Sequence, residues 1–312
     1  MADLASLRDT LAQQLPSLAL REGEPMSRHT TFRVGGPAAL MALPSSPEEL
    51  QAVLRLAAAA GVRPVCLGRG SNLLVADRGL DAFVVKLAGG LDRLERDGAT
   101  GLYVGSGVTM AQAATFAAQH GLTGLEFAHG IPGTLGGGVV MNAGAYDGEL
   151  AQVIDYVDCL DERGGAHRLG RDAAAFGYRS SVFHTIPWVV VGVHMSLRPG
   201  DPDAIRAKMA DLAQRRRAKQ PLEYPSAGST FKRPVGHFAG GLIEQCGLKG
   251  TSVGGAQVSE KHAGFVINTG GATCADVLAL IRLIRARVQA QTGVLLEPEV
   301  RLLGCRLDEN EG

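Results

Sequence analysis

No Cys-x-x-Cys pair occurs among the five cysteines, Cys66, Cys159, Cys246, Cys274 and Cys305. Their odd number and wide scatter exclude a disulfide framework and a zinc cluster, and free thiols fit a reducing, cytoplasmic compartment. Net charge is missing too: 31 basic side chains balance 31 acidic ones, so no overall field draws in nucleic acid or an anionic membrane. Any acidic ligand has to be held by local charges. No apolar run reaches membrane-spanning length, and Asp3, Arg8 and Asp9 break up the leucines at the start, against a signal peptide. What the chain has is length and apolar material, 312 residues of which 46% are hydrophobic. Single cores stop growing at about 250–300 residues, so two or three lobes are expected and disorder is excluded.

Leu4, Leu7, Leu11 and Leu15 recur at helical spacing, ahead of a polar stretch from Arg21 to His29. Strands are expected at Thr31–Val34 and Ala38–Leu43. Ser46, Pro47, Glu48 and Glu49 then read as an N-cap, a first-turn proline and two dipole-complementing acids, opening a helix to about Ala60. Pro64–Leu67 and Ala82–Leu87 complete a small α/β lobe, residues 1–88. A second lobe, 89–199, is α+β: a strand at Leu102–Gly105, a helix from Thr109 to His120 ended by Gly121, then strands near Val153–Leu160 and Trp188–Leu197. Gly200-Asp201-Pro202 punctuates the chain. Asp201 caps a helix with Ile205, Met209 and Leu212 on one face, and residues 200–312 form a last α+β domain. Its final helix starts at Thr273, with Asp276 completing a capping box and Val277, Leu280, Ile281, Ile284 and Val288 facing inward.

Chemistry-bearing residues concentrate in glycine-rich segments. Gly68-Arg69-Gly70-Ser71-Asn72 follows an apolar strand, so its backbone N–H groups can cradle phosphate, with Ser71 and Asn72 as further donors; an ordinary tight turn explains it equally well. Its spacing is not Gly-x-Gly-x-x-Gly and no P-loop lysine follows, which disfavours both nucleotide motifs. Between His129 and Glu149, seven glycines stand in twenty-one residues. Gly136-Gly137-Gly138 can turn three consecutive N–H groups toward an anion, with Ile131-Pro132-Gly133-Thr134 as a second approach; the alternative is close packing of the chain on itself. Two such loops suit a ligand with a diphosphate between two ends.

Tyr178-Arg179-Ser180-Ser181 is a polar turn whose arginine is either a solvated surface group or a planar fork for a carboxylate. Hydroxyls stand among small residues and cations from Tyr224 to Pro234, without a Gly-x-Ser-x-Gly elbow, which disfavours a hydrolase nucleophile and leaves Ser229 as a proton donor. Leu296-Glu297-Pro298-Glu299-Val300-Arg301 reads by itself as a charged edge strand. Lys249 and His262 lie in glycine-rich stretches that can hold phosphate or simply be loop.

Taken together, these segments resemble the UDP-N-acetylenolpyruvoylglucosamine reductase family. The likeness runs from about Thr31 to Cys305 through Thr-Phe-Arg-Val-Gly-Gly, Leu-Gly-Arg-Gly-Ser-Asn-Leu-Leu, Gly-Ile-Pro-Gly-Thr-Leu-Gly-Gly, Met-Asn-Ala-Gly-Ala-Tyr, Gly-Tyr-Arg-Ser-Ser, Ala-Gly-Ser-Thr-Phe-Lys and Leu-Glu-Pro-Glu-Val-Arg. Each is weak alone; their order is specific. The resemblance implies an α+β protein with a two-lobed FAD-binding fold of the vanillyl-alcohol-oxidase type and a C-terminal α+β substrate-binding domain. It implies FAD held by Val34, Gly68, Arg69, Gly70, Ser71, Asn72, Ile131, Pro132, Gly133, Thr134, Gly136, Gly137, Ala143 and Gly144. NADPH would reduce the flavin, and the reduced flavin would pass hydride to the enolpyruvyl group of the sugar nucleotide. Arg179 matches the arginine that steadies the resulting enolate, Ser229 the proton donor and Glu299 the orienting glutamate. Tyr178, Lys219, Arg233, Lys249 and His262 are candidates for substrate contacts.

Two departures stand out. Arg233 occupies a position where some members have Asn, and Phe183 runs almost directly into the Trp188 strand, which marks the shorter type without an inserted loop. A flavin oxidase on the same fold and a non-catalytic flavin or nucleotide-sugar binder remain alternatives. Besides NADPH and the sugar nucleotide, no nucleic-acid, membrane or metal partner is expected, and the chain is taken as a monomer.

Overall fold

The structure, a computed structural model, describes residues 4–307. Asp3 and the last five residues of the C-terminal domain lie outside the described residues. The chain forms two compact units: Met1–Glu22, Leu40–Arg69 and Ala82–Arg215 in the first, Gly23–Ala39, Gly70–Asp81 and Arg216–Gly312 in the second.

The first unit holds two hydrophobic cores. One is gathered by helices Leu4–Gln14 and Pro47–Ala59, which bury Leu7, Leu11, Leu50, Val53 and Leu54 with Phe83 and Val85. The second helix starts as its sequence dictates, with the Ser46 hydroxyl accepting from the Glu49 amide and Pro47 in the first turn. Strands Val65–Leu67 and Leu80–Lys86 pair in parallel, Val65 opposite Val84. The other core lies under a five-stranded antiparallel sheet ordered Ala166–Gly170, Ile154–Leu160, Val189–Ser196, Gly101–Gly105, Leu94–Asp97. Helix Met110–Gln119 packs here through Ala113, Ala114 and Ala117, capped by a reciprocal Thr109–Gln112 box. Ile205 and Met209 of helix Pro202–Lys219 join the same core.

The second unit has its own core. Phe32, Val34, Leu74 and Ala76 pack with Ile243, Val258, Leu280, Ile281, Ile284 and Val288. Strand Arg301–Leu303 runs parallel to Leu73–Val75, and Ser252–Val253, Ala256–Val258 and Val266–Asn268 make a small antiparallel sheet. Helix Cys274–Thr292 opens on the expected Thr273–Asp276 box and stops at left-handed Gly293, φ +74°. Its first amides have a further acceptor, the Asp77 carboxylate, at 2.7 Å from Cys274 N and 3.0 Å from Ala275 N.

One expected strand is absent. Thr31–Val34 is a turn: Arg33 has φ +56°, its amide bonds the Thr30 carbonyl at 3.2 Å, and the Thr30 hydroxyl donates to the Val34 carbonyl at 3.0 Å. Phe32 and Val34 alternate like strand residues because both reach the core. The polar stretch from Arg21 to His29 overlaps an edge strand, Ala19–Pro25, whose mostly exposed side chains leave no alternation to detect. Among the described residues no helix is long and apolar enough to cross a membrane.

Candidate active site

In the first unit the two glycine-rich loops touch. A Cβ at Gly68 would overlap the Thr134 hydroxyl and lie 3.3 Å from Thr134 Cβ and Cγ2. Thr134 is itself only 2% exposed and precedes the short helix Leu135–Val140. The three following glycines differ in what they do. Gly136 gives its amide to the Ser106 carbonyl at 3.0 Å, and a Cβ there would stand 2.7 Å from Ser106 Cβ. Gly138 gives its amide to the Thr134 carbonyl at 2.9 Å and packs on Leu150 and Met110. These amides are taken, which corrects the expectation of a three-amide nest: the helix and its neighbour strand claim two of the three. Gly137 is exposed, and the nearest atom to an added Cβ, Thr134 Oγ1, is 3.8 Å away.

In the first unit, the amides of Gly133, Thr134 and Gly137 find no acceptor among the described residues. Two buried polar atoms near the glycine stretch, Ser106 Oγ and His129 Nδ1, are likewise without a partner there. Exposed bare backbone, amides in need of acceptors and orphaned buried donors are what an anionic diphosphate cofactor requires. The residues present therefore fit FAD. Of the other positions expected to hold it, Ile131 is half-buried, Pro132 exposed, and Val34 is buried in the core of the second unit. Gly144 cannot carry a side chain, since a Cβ there would meet Gly148 O at 2.7 Å and Glu149 Cβ at 2.8 Å across a hairpin turned by Tyr146 and Asp147, both at positive φ.

Arg179 sits beside that stretch. Gly177 and Ser180 exchange backbone hydrogen bonds of 3.0 and 3.2 Å, which leaves Tyr178 and Arg179 at the tip of the turn. Arg179 has φ +52°, a left-handed conformation that a non-glycine residue adopts at a cost of about 1–2 kcal/mol. The turn is strapped down by Asn142, whose amide donates to Gly177 O at 3.0 Å, and by Ser181, whose hydroxyl donates to Val140 O at 2.8 Å. The Arg179 guanidinium donates to Gly144 O at 3.2 Å, so Arg179 and the Ala143-Gly144 segment are brought together. Tyr178 stays outside, 57% exposed. The sequence had given Asn142 no role, although it stands inside a quoted motif.

In the second unit, the Ser229 segment runs antiparallel to Leu296–Val300. Phe231 pairs with Pro298, Glu299 N donates to Thr230 O at 2.8 Å and Lys232 N to Glu297 O at 2.9 Å. This ladder sets Glu299, half-buried, opposite Thr230, the residue after exposed Ser229. Asn72 joins them: its side-chain amide donates to Glu299 O at 3.1 Å, and its carbonyl accepts from Arg301 N at 3.0 Å. The expected edge strand is thus a paired element that carries Glu299, with Glu297 turned out to an ion pair with Lys232. Lys249 binds Glu244 at 2.6 Å and lies close enough to His262 to act on its charge. Burial above all, with Lys249 adding, holds the His262 ring below its ordinary pKa, and its Nδ1 accepts from Gly264 N at 3.1 Å. Lys249 and His262 therefore form one patch, a cation beside a neutral imidazole. Arg233 lies over the Phe238 ring at 4.0 Å, and Lys219 is exposed at its helix end, so neither joins that patch through a described contact.

Residues 38–170 match the model of an FAD binding domain, and residues 220–303 that of the C-terminal domain of UDP-N-acetylenolpyruvoylglucosamine reductase. The reductase of that name from Caldanaerobacter subterraneus subsp. tengcongensis is 47% identical, over 96% of this chain and 98% of its own. The chain belongs to the UDP-N-acetylenolpyruvoylglucosamine reductase family. The Agathobacter rectalis member is 45% identical over 95% of this chain and 97% of its own. The crystal structure of the Thermus caldophilus enzyme superposes with a TM-score of 0.78 at 36% identity, covering 92% of this chain and 98% of that one. The fold is accordingly the α+β one expected, an FAD-binding part followed by the family's C-terminal domain.

Proposed function

We propose that the chain reduces UDP-N-acetylenolpyruvoylglucosamine to UDP-N-acetylmuramate, the sugar nucleotide from which peptidoglycan is built, with NADPH as reductant and FAD as cofactor. It acts as a monomer in the cytoplasm. The three-part division 1–88, 89–199 and 200–312 goes with this reading, although each of the three hydrophobic cores draws side chains from more than one of those parts. Gly68–Asn72, Ile131–Gly137 and Ala143-Gly144, with Val34, hold the cofactor. When bound, the flavin would supply hydride chemistry there, drawn from NADPH and directed to the methylene carbon of the enolpyruvyl group.

The chain's own residues have two further tasks. Hydride addition leaves negative charge on the carbon next to the substrate carboxylate, and that enolate has to be stabilised. Arg179 pairs with it through a planar two-pronged donor, an interaction worth about 2–4 kcal/mol when oriented in a site shielded from water. The carbon then needs a proton. A serine hydroxyl is a weak acid and serves only a strongly basic acceptor, which an enolate carbon is. Ser229 donates it, and Glu299 orients the hydroxyl. Tyr178, Lys219, Arg233, Lys249 and His262 receive the rest of the sugar nucleotide, its diphosphate above all.

The observation that carries this reading is the ladder between the Ser229 and Glu299 segments. It ties the segment that carries Ser229 to the one that carries Glu299, with Thr230 opposite Glu299, so both side chains project from one paired element. Purified protein should be yellow, bleach anaerobically with NADPH and regain its colour on addition of UDP-N-acetylenolpyruvoylglucosamine. Recovery with dioxygen and not with the sugar nucleotide would make it an oxidase; a colourless protein that takes up no FAD would remove the proposal.

A further inference from the structure

Cys274 and Cys305 stand 31 positions apart in the chain, and their sulfur atoms lie 3.5 Å from each other inside the second unit. Cys274 has no exposure and Cys305 has 8%. Each is carried on backbone that is held in place. Cys274 is the first residue of its helix, where the Asp77 carboxylate and the Thr273–Asp276 box fix the opening turn. Cys305 follows strand Arg301–Leu303, which is locked in register with Leu73–Val75. A disulfide shortens such a sulfur–sulfur contact to about 2.05 Å. Burial pushes Cys66 up to about 12 and Cys159, helped by Asp158 and Asp161, up to about 11, which keeps both as unreactive thiols at neutral pH.

We propose that Cys274 and Cys305 are an oxidisable pair that hydrogen peroxide converts into a disulfide. Peroxide takes the Cys305 sulfur, the more accessible one, to a sulfenic acid and leaves as water. The Cys274 sulfur then attacks it, the S–S bond forms as the S–O bond breaks, and a second water departs. Two thiols have lost two protons and two electrons, and one peroxide has become two waters. The bond closes the span that holds the last helix and Glu299 into a ring, which removes freedom from the unfolded chain.

The test is a peptide map of the FAD-loaded protein after treatment with hydrogen peroxide, with remaining thiols alkylated during unfolding and digestion without reductant. The expected result is one linked pair of peptides holding Cys274 and Cys305, loss of two of the five thiols, their return with dithiothreitol, and a higher melting temperature for the oxidised protein. Cys305→Ala should show neither link nor peroxide-induced shift in melting. A core substitution could unfold the protein by itself, so the unsubstituted chain decides. Five alkylatable thiols after peroxide, a bridge through Cys66, Cys159 or Cys246, or sulfinic acid at either position overturns the proposal.

Discussion

Gly137→Ala separates a glycine kept for a ligand from one kept for packing. Residue 137 lies in helical backbone, and its new methyl group would meet only Thr134 Oγ1 at 3.8 Å, an ordinary contact. Alanine is a better helix residue than glycine by about 0.5–1 kcal/mol, so the protein stripped of flavin should melt at a slightly higher temperature. The flavin-loaded protein should suffer. If the exposed Gly137 amide serves the FAD diphosphate, the methyl group stands in its path, and losing one charge-assisted hydrogen bond costs about 1.5–3 kcal/mol. That corresponds to FAD binding weaker by about 10–150-fold. Titration of the stripped protein by quenching of flavin fluorescence, beside a thermal melt, measures both effects. Unchanged FAD affinity with a raised melting temperature would refute a ligand role for this bare position. Gly68→Ala is the contrasting case: its methyl group would strike the β-branched, buried Thr134, so stability itself should fall by about 1–3 kcal/mol. Adding Thr134→Ala should restore most of that loss.

Ser229→Ala should leave reduction of the flavin by NADPH nearly intact and slow the sugar half-reaction by about 10²–10⁴-fold in stopped flow; equal loss in both would exclude Ser229 as the acid. Arg179→Lys should lower kcat by about 30–1000-fold, because an ammonium cannot reproduce the fork, and near-normal turnover would take Arg179 out of the site. Glu126 predicts a pH effect. Burial opposes its charge, but the Thr123 hydroxyl, the Gly124 amide and Lys208 outweigh burial and hold its carboxyl below the usual range. Its stabilising contribution is therefore full above the ordinary carboxylate pKa and lost as pH falls through the lowered one. Glu126→Gln should destabilise by about 1–3 kcal/mol at pH 7 and flatten the acid side of a melting-temperature profile; an unchanged profile would contradict this.

Helices were legible because their signals are local. Ser46, Thr109 and Thr273 each cap the helix their neighbours announce, through a hydroxyl bonded to an amide three residues on. The glycine loops were legible as loops, but not the division of labour within Gly136-Gly137-Gly138, since which amide is already taken depends on Ser106, some thirty residues earlier in the chain. Arg179 and Ser229 are candidates through the resemblance alone. What positions them was hidden: the straps from Asn142 and Ser181 and the tie from Asn72 to Glu299 join residues distant in sequence, and no periodicity encodes such bonds. Asp77 went unnoticed for the same reason, because it serves a helix that begins nearly two hundred residues later.

The core of the second unit is stitched from three stretches of chain, and its C-terminal stretch cannot close that core alone. A fragment starting near Arg216 would lack Phe32, Val34, Leu74 and Ala76, the parallel partner of Arg301–Leu303, and the carboxylate that caps the start of the last helix. Expressed in isolation it should behave as a sticky, incompletely ordered polypeptide. During synthesis, the ribosome must therefore release almost the entire product before this half can settle, with its early segments waiting unsatisfied until then.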